Sequence, residues 1–95
     1  MTFDQFIATL SQPQPPTAVH PVVQGLWYDA NGKWEQAHNI AQSHEGEPRY
    51  DQLHAYLHRK EGDRFNANYW YRRAGAPFFE GPLEEEWSTL VKQML

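Results

Sequence analysis

Cysteine is absent from this 95-residue chain, which excludes disulfides, thiolate zinc sites and cysteine nucleophiles. There is no excess of positive charge either. The net charge is −4, which argues against a general nucleic-acid binder. No run approaches the ~18 apolar residues of a membrane span. The start, Met1-Thr2-Phe3-Asp4, has neither the positive region nor the apolar stretch of a secretory signal. A Walker loop and a dinucleotide fingerprint are missing, and Ser11, Ser43 and Ser88 lack a nucleophile-elbow context. The expectation is a cytoplasmic protein with no nucleic-acid or membrane partner, no implied cofactor and no catalytic residue that can be named.

Aromatic residues, by contrast, are abundant. Four Trp, five Tyr and five Phe make up 15% of the chain, and each ring can bury about 150–250 Å². A chain of single-domain length can build its core from such rings without covalent staples. Charge is distributed unevenly. Residues 49–73 carry +3 and the remainder −7, so a mildly basic segment lies between acidic flanks. The simplest reading is a self-complementary, solvated surface.

The pattern of apolar residues and helix stops predicts an all-α fold of about six short helices in one domain, residues 1–95. Thr2 to Leu10 forms the first helix, with Phe3, Phe6, Ile7 and Leu10 on one face and a Thr2/Gln5 capping box. The proline-rich run over residues 11–17 makes a stiff linker. Helix two is predicted from near Ala18, with Pro21 in its first turn, and ends at Asn31-Gly32. Helix three covers Lys33 to Ser43. Helix four runs from Pro48 to Lys60, and helix five, capped by Asp63, continues to Ala74. After a loop, Pro82 starts a last amphipathic helix with Leu83, Trp87, Leu90, Val91 and Met94 in its stripe. Glu84, Glu85 and Glu86 in its first turn complement the helix dipole; adjacent on a helix, they diverge and make no catalytic pair.

A shift of thirty residues lays Gly32 on Gly62, Ala37 on Ala67, Gly25 on Ala55 and Tyr28 on His58. Each copy reads as helix, glycine turn, helix, within residues 18–75. In the second copy, Ala55, Gly62-Asp63, Ala67, Tyr71 and Ala74 resemble the small–Gly-Asp–Ala–aromatic–Ala series of tetratricopeptide and Sel1-like repeats. In the first copy Ala41 stands in place of the aromatic residue and His44 in place of the last small one. The run from His54 to Asp63, with Asn66-Ala67 and the segment Tyr69 to Gly75, is similar to a family of small uncharacterised bacterial proteins; Trp34 and Ala37-His38 fit the same pattern. That resemblance implies the helical fold and an intracellular bacterial setting, and brings no catalytic residues with it.

Two constellations are candidates for function. His54 and His58 are four apart, so they share a helix face. Asp51 extends that stripe, and His38 falls on the inward face of the other hairpin. His54, His58 and Asp51 form a candidate metal set, since zinc needs three or four convergent ligands. The residues between the two histidines are Ala55, Tyr56 and Leu57, so the glutamate of a metalloprotease motif is missing. The bland alternative is that the imidazoles hydrogen-bond across the packing, next to Tyr50, Asn66 or Tyr69. A wider pocket, possibly enzymatic, would add Asn66 and Tyr69 to His38, His54 and His58. The second constellation, Asn66, Trp70 and Arg73, is expected to face outward or along a groove, the alternative being a cation–π or packing arrangement with a neighbouring helix. With Arg59 it has the composition of a protein-binding hot spot. The leading expectation is a helical-repeat adaptor for an unknown protein or peptide. The pocket protein and a self-associating homodimer are its rivals.

Overall fold

The computed structural model describes residues 1–95 and contains helices only: α1 (Phe3–Ala8), α2 (Pro21–Ala30), α3 (Trp34–Gln42), α4 (Pro48–Lys60), α5 (Arg64–Ala74) and α6 (Leu83–Met94), with a 3-10 turn over Thr9–Ser11. No helix is long and apolar enough to cross a membrane. The all-α class and the six helices agree with the sequence pattern. Several ends differ by a residue or more, three of them with consequence. The first helix tightens into the 3-10 turn after Ala8, α2 begins at Pro21 rather than near Ala18, and α6 begins at Leu83. At α2 the reason is local. The residue before a proline is driven out of the α region, so His20 is extended, with ψ 144°, and its ring accepts from the Val22 amide as the cap. Pro82 plays the same extended role before α6, with ψ 150°.

The two hairpins are α2–α3 and α4–α5, and α4 is the hub, packing on α2, α3, α5 and α6. The thirty-residue repeat extends to the turn hydrogen bonds. Gly32 and Gly62 have φ of +73° and +87°, the left-handed region where glycine costs least. Their hairpins close with equivalent bonds: Lys33 N–H donates to Tyr28 O, and Asp63 N–H to His58 O, both over 2.9 Å. These are the paired closing bonds of a glycine-terminated helix. Where Gly25 falls on Ala55, the spaces differ. A Cβ on Gly25 would lie 2.8 Å from Leu53 Cδ2.

The main core joins Phe6, Val22, Val23, Leu26 and Trp27 to Leu53 and Leu57 of α4 and to Trp87, Leu90 and Val91 of α6. A smaller cluster of Ala55, Ala67, Trp70 and Tyr71 fills the α4–α5 hairpin. The N-terminal helix is docked. Phe6 is fully buried, Phe3 and Phe6 lie 6.3 and 6.0 Å from the Trp87 ring, and Trp27 Nε1 donates to Thr9 O at 2.9 Å across the proline linker. Two buried carboxylates fasten the helices polarly. Asp29 accepts from Tyr56 Oη at 2.7 Å and Lys60 Nζ at 2.9 Å. Glu86 accepts from Tyr71 Oη and from Arg59 Nε. Successive residues of α4, Arg59 and Lys60, therefore tie it to two different helices, α6 and α2.

Candidate metal centre

Three histidines meet where α3 crosses α4. Helix α3 presents His38 one residue after the buried Ala37, and α4 presents His54 and His58 one turn apart on the side facing α3 and α5. One ring nitrogen from each lies within 4.8 Å of the others. His38 Nε2 and His54 Nε2 are 3.0 Å apart. A tetrahedral ion bound at 2.0–2.1 Å sets its ligand nitrogens about 3.4 Å apart, so the hydrogen-bonded pair would open by a few tenths of an ångström, and His58 lies within 4.8 Å of both.

The environment favours neutral imidazole, the form that binds metal. His54 is 2% exposed. Its pKa is lowered to about 3, first by desolvation and then by His38 and His58 beside it. Desolvation, with His58 second, also lowers His38. At neutral pH, then, one of the two facing Nε2 atoms donates its proton to the other. That single bond cannot satisfy His54 fully, and its Nδ1 is buried without a partner. An orphaned buried nitrogen costs free energy. In His58, Nδ1 bonds a Glu61 carboxylate oxygen, which leaves Nε2 with the free lone pair. A carboxylate on the far side of a ligating imidazole fixes its tautomer and raises its basicity.

Two indoles enclose the group. Trp34 stacks on His38 with centroids 4.6 Å apart and anchors its Nε1 on Leu57 O. Trp70 stacks on His54 at 3.8 Å, with the Arg73 guanidinium 5.2 Å from the indole ring centre.

The other sequence candidates are placed elsewhere. Asp51 is buried, but its carboxylate turns back to accept from the Gly46 amide at 3.1 Å, so His38, not Asp51, completes the trio. Asn66 donates to the Asp63 carboxylate and Tyr69 Oη accepts from Arg73; neither reaches the imidazoles. Trp70 does not face outward, being 8% exposed. Arg59 is committed to Glu86 at 3.0 Å, with 15% of its side chain exposed. Of the hot-spot residues only Arg73 lies on the open surface. A second acidic group, His58, Glu61 and Asp63, also converges, but Asp63 caps α5 through Asn66 and Glu61 is held by His58. The imidazoles pack on one another and line neither of the molecule's two surface cavities.

Protein-family models, curated proteins and solved structures were each compared with the chain, and none matches.

Proposed function

We propose that the protein binds a divalent transition-metal ion through His38, His54 and His58. The observation that carries this reading is the convergence of three ring nitrogens within 4.8 Å, two of them facing each other at 3.0 Å, on a His54 imidazole that burial keeps neutral. A donor set made only of imidazole nitrogen selects zinc, copper(II), nickel or cobalt(II) over magnesium and calcium. Three protein ligands leave a fourth position for water, the ligand count of exchangeable rather than closed structural sites. Trp34 and Trp70 supply the dry, rigid shell that holds ligands in position.

Calorimetric titration of the full chain with Zn²⁺, and the visible spectrum after adding Co²⁺, test the reading. One ion per chain is expected, with a tetrahedral cobalt spectrum. His54→Ala should weaken binding more than about tenfold, since even losses around the ligands cost that much, while His44→Ala, on an exposed residue, should bind as the parent does. Equal affinity in the His54 and His44 variants would sink the proposal.

The adaptor reading keeps a second place because of one feature of α5. Phe65 is 85% exposed and Tyr69 45%, and with the exposed Arg72 they follow an i, i+4, i+7 stripe. Aromatic and arginine side chains dominate binding hot spots, and the resemblance to helical repeats supports the same reading. The anchors would then be Phe65, Tyr69 and Arg72 rather than Trp70 and Arg59. A Phe65→Ala, Tyr69→Ala variant should melt like the parent yet lose any partner that the parent captures. Retained capture would remove this face from consideration.

A further inference from the structure

A cavity of about 500 Å³ opens between the end of α2, the end of α4 and the start of α6. That volume is within the range of small-molecule sites. Its walls are apolar, formed by Leu10, Leu83 and the Trp87 ring, and its polar groups are concentrated around Asp29, Tyr56 and Lys60. Glu84 and Ser88 stand on the α6 side.

The chemistry at the polar end is asymmetric. Asp29 is 3% exposed, and a buried carboxylate requires a cation and hydrogen bonds to remain charged. Tyr56 supplies one bond at 2.7 Å. Burial, with the Asp29 carboxylate as the next cause, pushes the Tyr56 hydroxyl far above its ordinary value, so it stays a proton donor. The cation is Lys60, at 2.9 Å, with 40% of its side chain exposed. A half-exposed ammonium on a four-carbon stem is a replaceable partner. The companion arrangement at Glu86 differs in this respect, because its cation Arg59 has only 15% of its side chain exposed and a planar guanidinium holds its geometry more rigidly.

With Asp29 and Glu84 against the single Lys60, the lining is net negative. A ligand carboxylate would meet like charge from both acids. A ligand ammonium would find a desolvated carboxylate that already accepts hydrogen bonds from an ammonium and a hydroxyl. We propose that this cavity binds a primary amine with an apolar tail, whose ammonium takes the place of Lys60 on Asp29 while the tail lies against Leu10, Leu83 and Trp87. Lys60 then swings out to solvent or to Glu84, and Asp29 is paired in both states. The site is independent of the histidine cluster.

The test uses the full chain and follows the Trp87 indole N–H resonance by NMR while phenethylammonium or, separately, 3-phenylpropionate is added. The resonance should move saturably with the amine and not with the carboxylate. Lys60→Met removes the competing ammonium and should tighten amine binding about tenfold, the scale of one charge-assisted hydrogen bond; Asp29→Asn should weaken it by at least as much. A carboxylate that binds as well as the amine, no saturable shift with either probe, or weaker amine binding by folded Lys60→Met would each overturn the proposal. The comparison of the two probes on the unaltered protein decides the matter even if a variant fails to fold.

Discussion

Burial keeps the His54 imidazole neutral well below the pH at which an ordinary one takes up a proton, and this has a measurable sign. Its folded pKa is about 3 against 6.5 for an ordinary imidazole. Above pH 6.5 both the folded and unfolded chains hold it neutral, and it contributes no pH dependence. Between those two values the unfolded chain takes up a proton that the folded chain does not, so stability falls as pH falls. The slope for one such proton reaches about 1.4 kcal/mol per pH unit, and His38 acts in the same direction. In metal-free protein the urea midpoint should therefore drop as pH is lowered through this window, and His54→Gln should flatten the drop. A midpoint insensitive to pH there would contradict the burial of a neutral imidazole. The sequence made part of this site legible: the His54/His58 spacing follows from helix geometry, and His38 was on the inward face. It did not separate Asp51 from the trio, because helix spacing places a first-turn carboxylate on the stripe but does not say that a loop amide will capture it. Trp70 is ambiguous in the sequence for another reason. Ala67, Trp70, Tyr71 and Ala74 themselves follow the i, i+3, i+4, i+7 rule, and this stripe competes with the Asn66, Trp70, Arg73 one, which shares Trp70.

Helices and turns were the more legible scale. The glycines at 32 and 62, and the proline at 48, mark ends that depend on backbone conformation alone, so sequence suffices to find them, whereas the start at Pro21 depends on His20 being driven extended. Packing between helices does not have that property, and Gly25 illustrates it. The repeat shows a small residue here in both hairpins, yet only the structure shows that α2 and α4 approach closely enough to bring a Cβ within 2.8 Å of Leu53 Cδ2. Leu53 is fully buried and has little room to retreat, so Gly25→Ala sets overpacking against the helix-propensity gain of alanine. Overpacking costs about 1–3 kcal/mol and the gain is about 1 kcal/mol. Net destabilisation is expected, visible as a lower chemical-denaturation midpoint. The equivalent change at the exposed end, Gly32→Ala, would act through φ instead, because Gly32 has φ +73° and no neighbour near its Cβ.

Across the whole molecule, α4 collects its neighbours through separate kinds of bond: imidazole contact to α3, stacking to Trp70 of α5, and the Asp29 and Glu86 carboxylates to α2 and α6. The segment before the proline linker has none of these attachments to α4. It is held by the fully buried Phe6 ring and by the bond from Trp27 to the Thr9 carbonyl, while Ser11 to Gln14 stay exposed. A single proteolytic cut in that exposed stretch would therefore sever the backbone without removing any of these contacts. The nicked protein should elute as one particle at high concentration and shed its N-terminal peptide on dilution, because cutting turns a tethered contact into a bimolecular equilibrium and abolishes the effective concentration that the linker provides. Prompt loss of the peptide at every concentration would mean that the covalent connection, rather than Phe6 and Trp27, keeps the first helix in place.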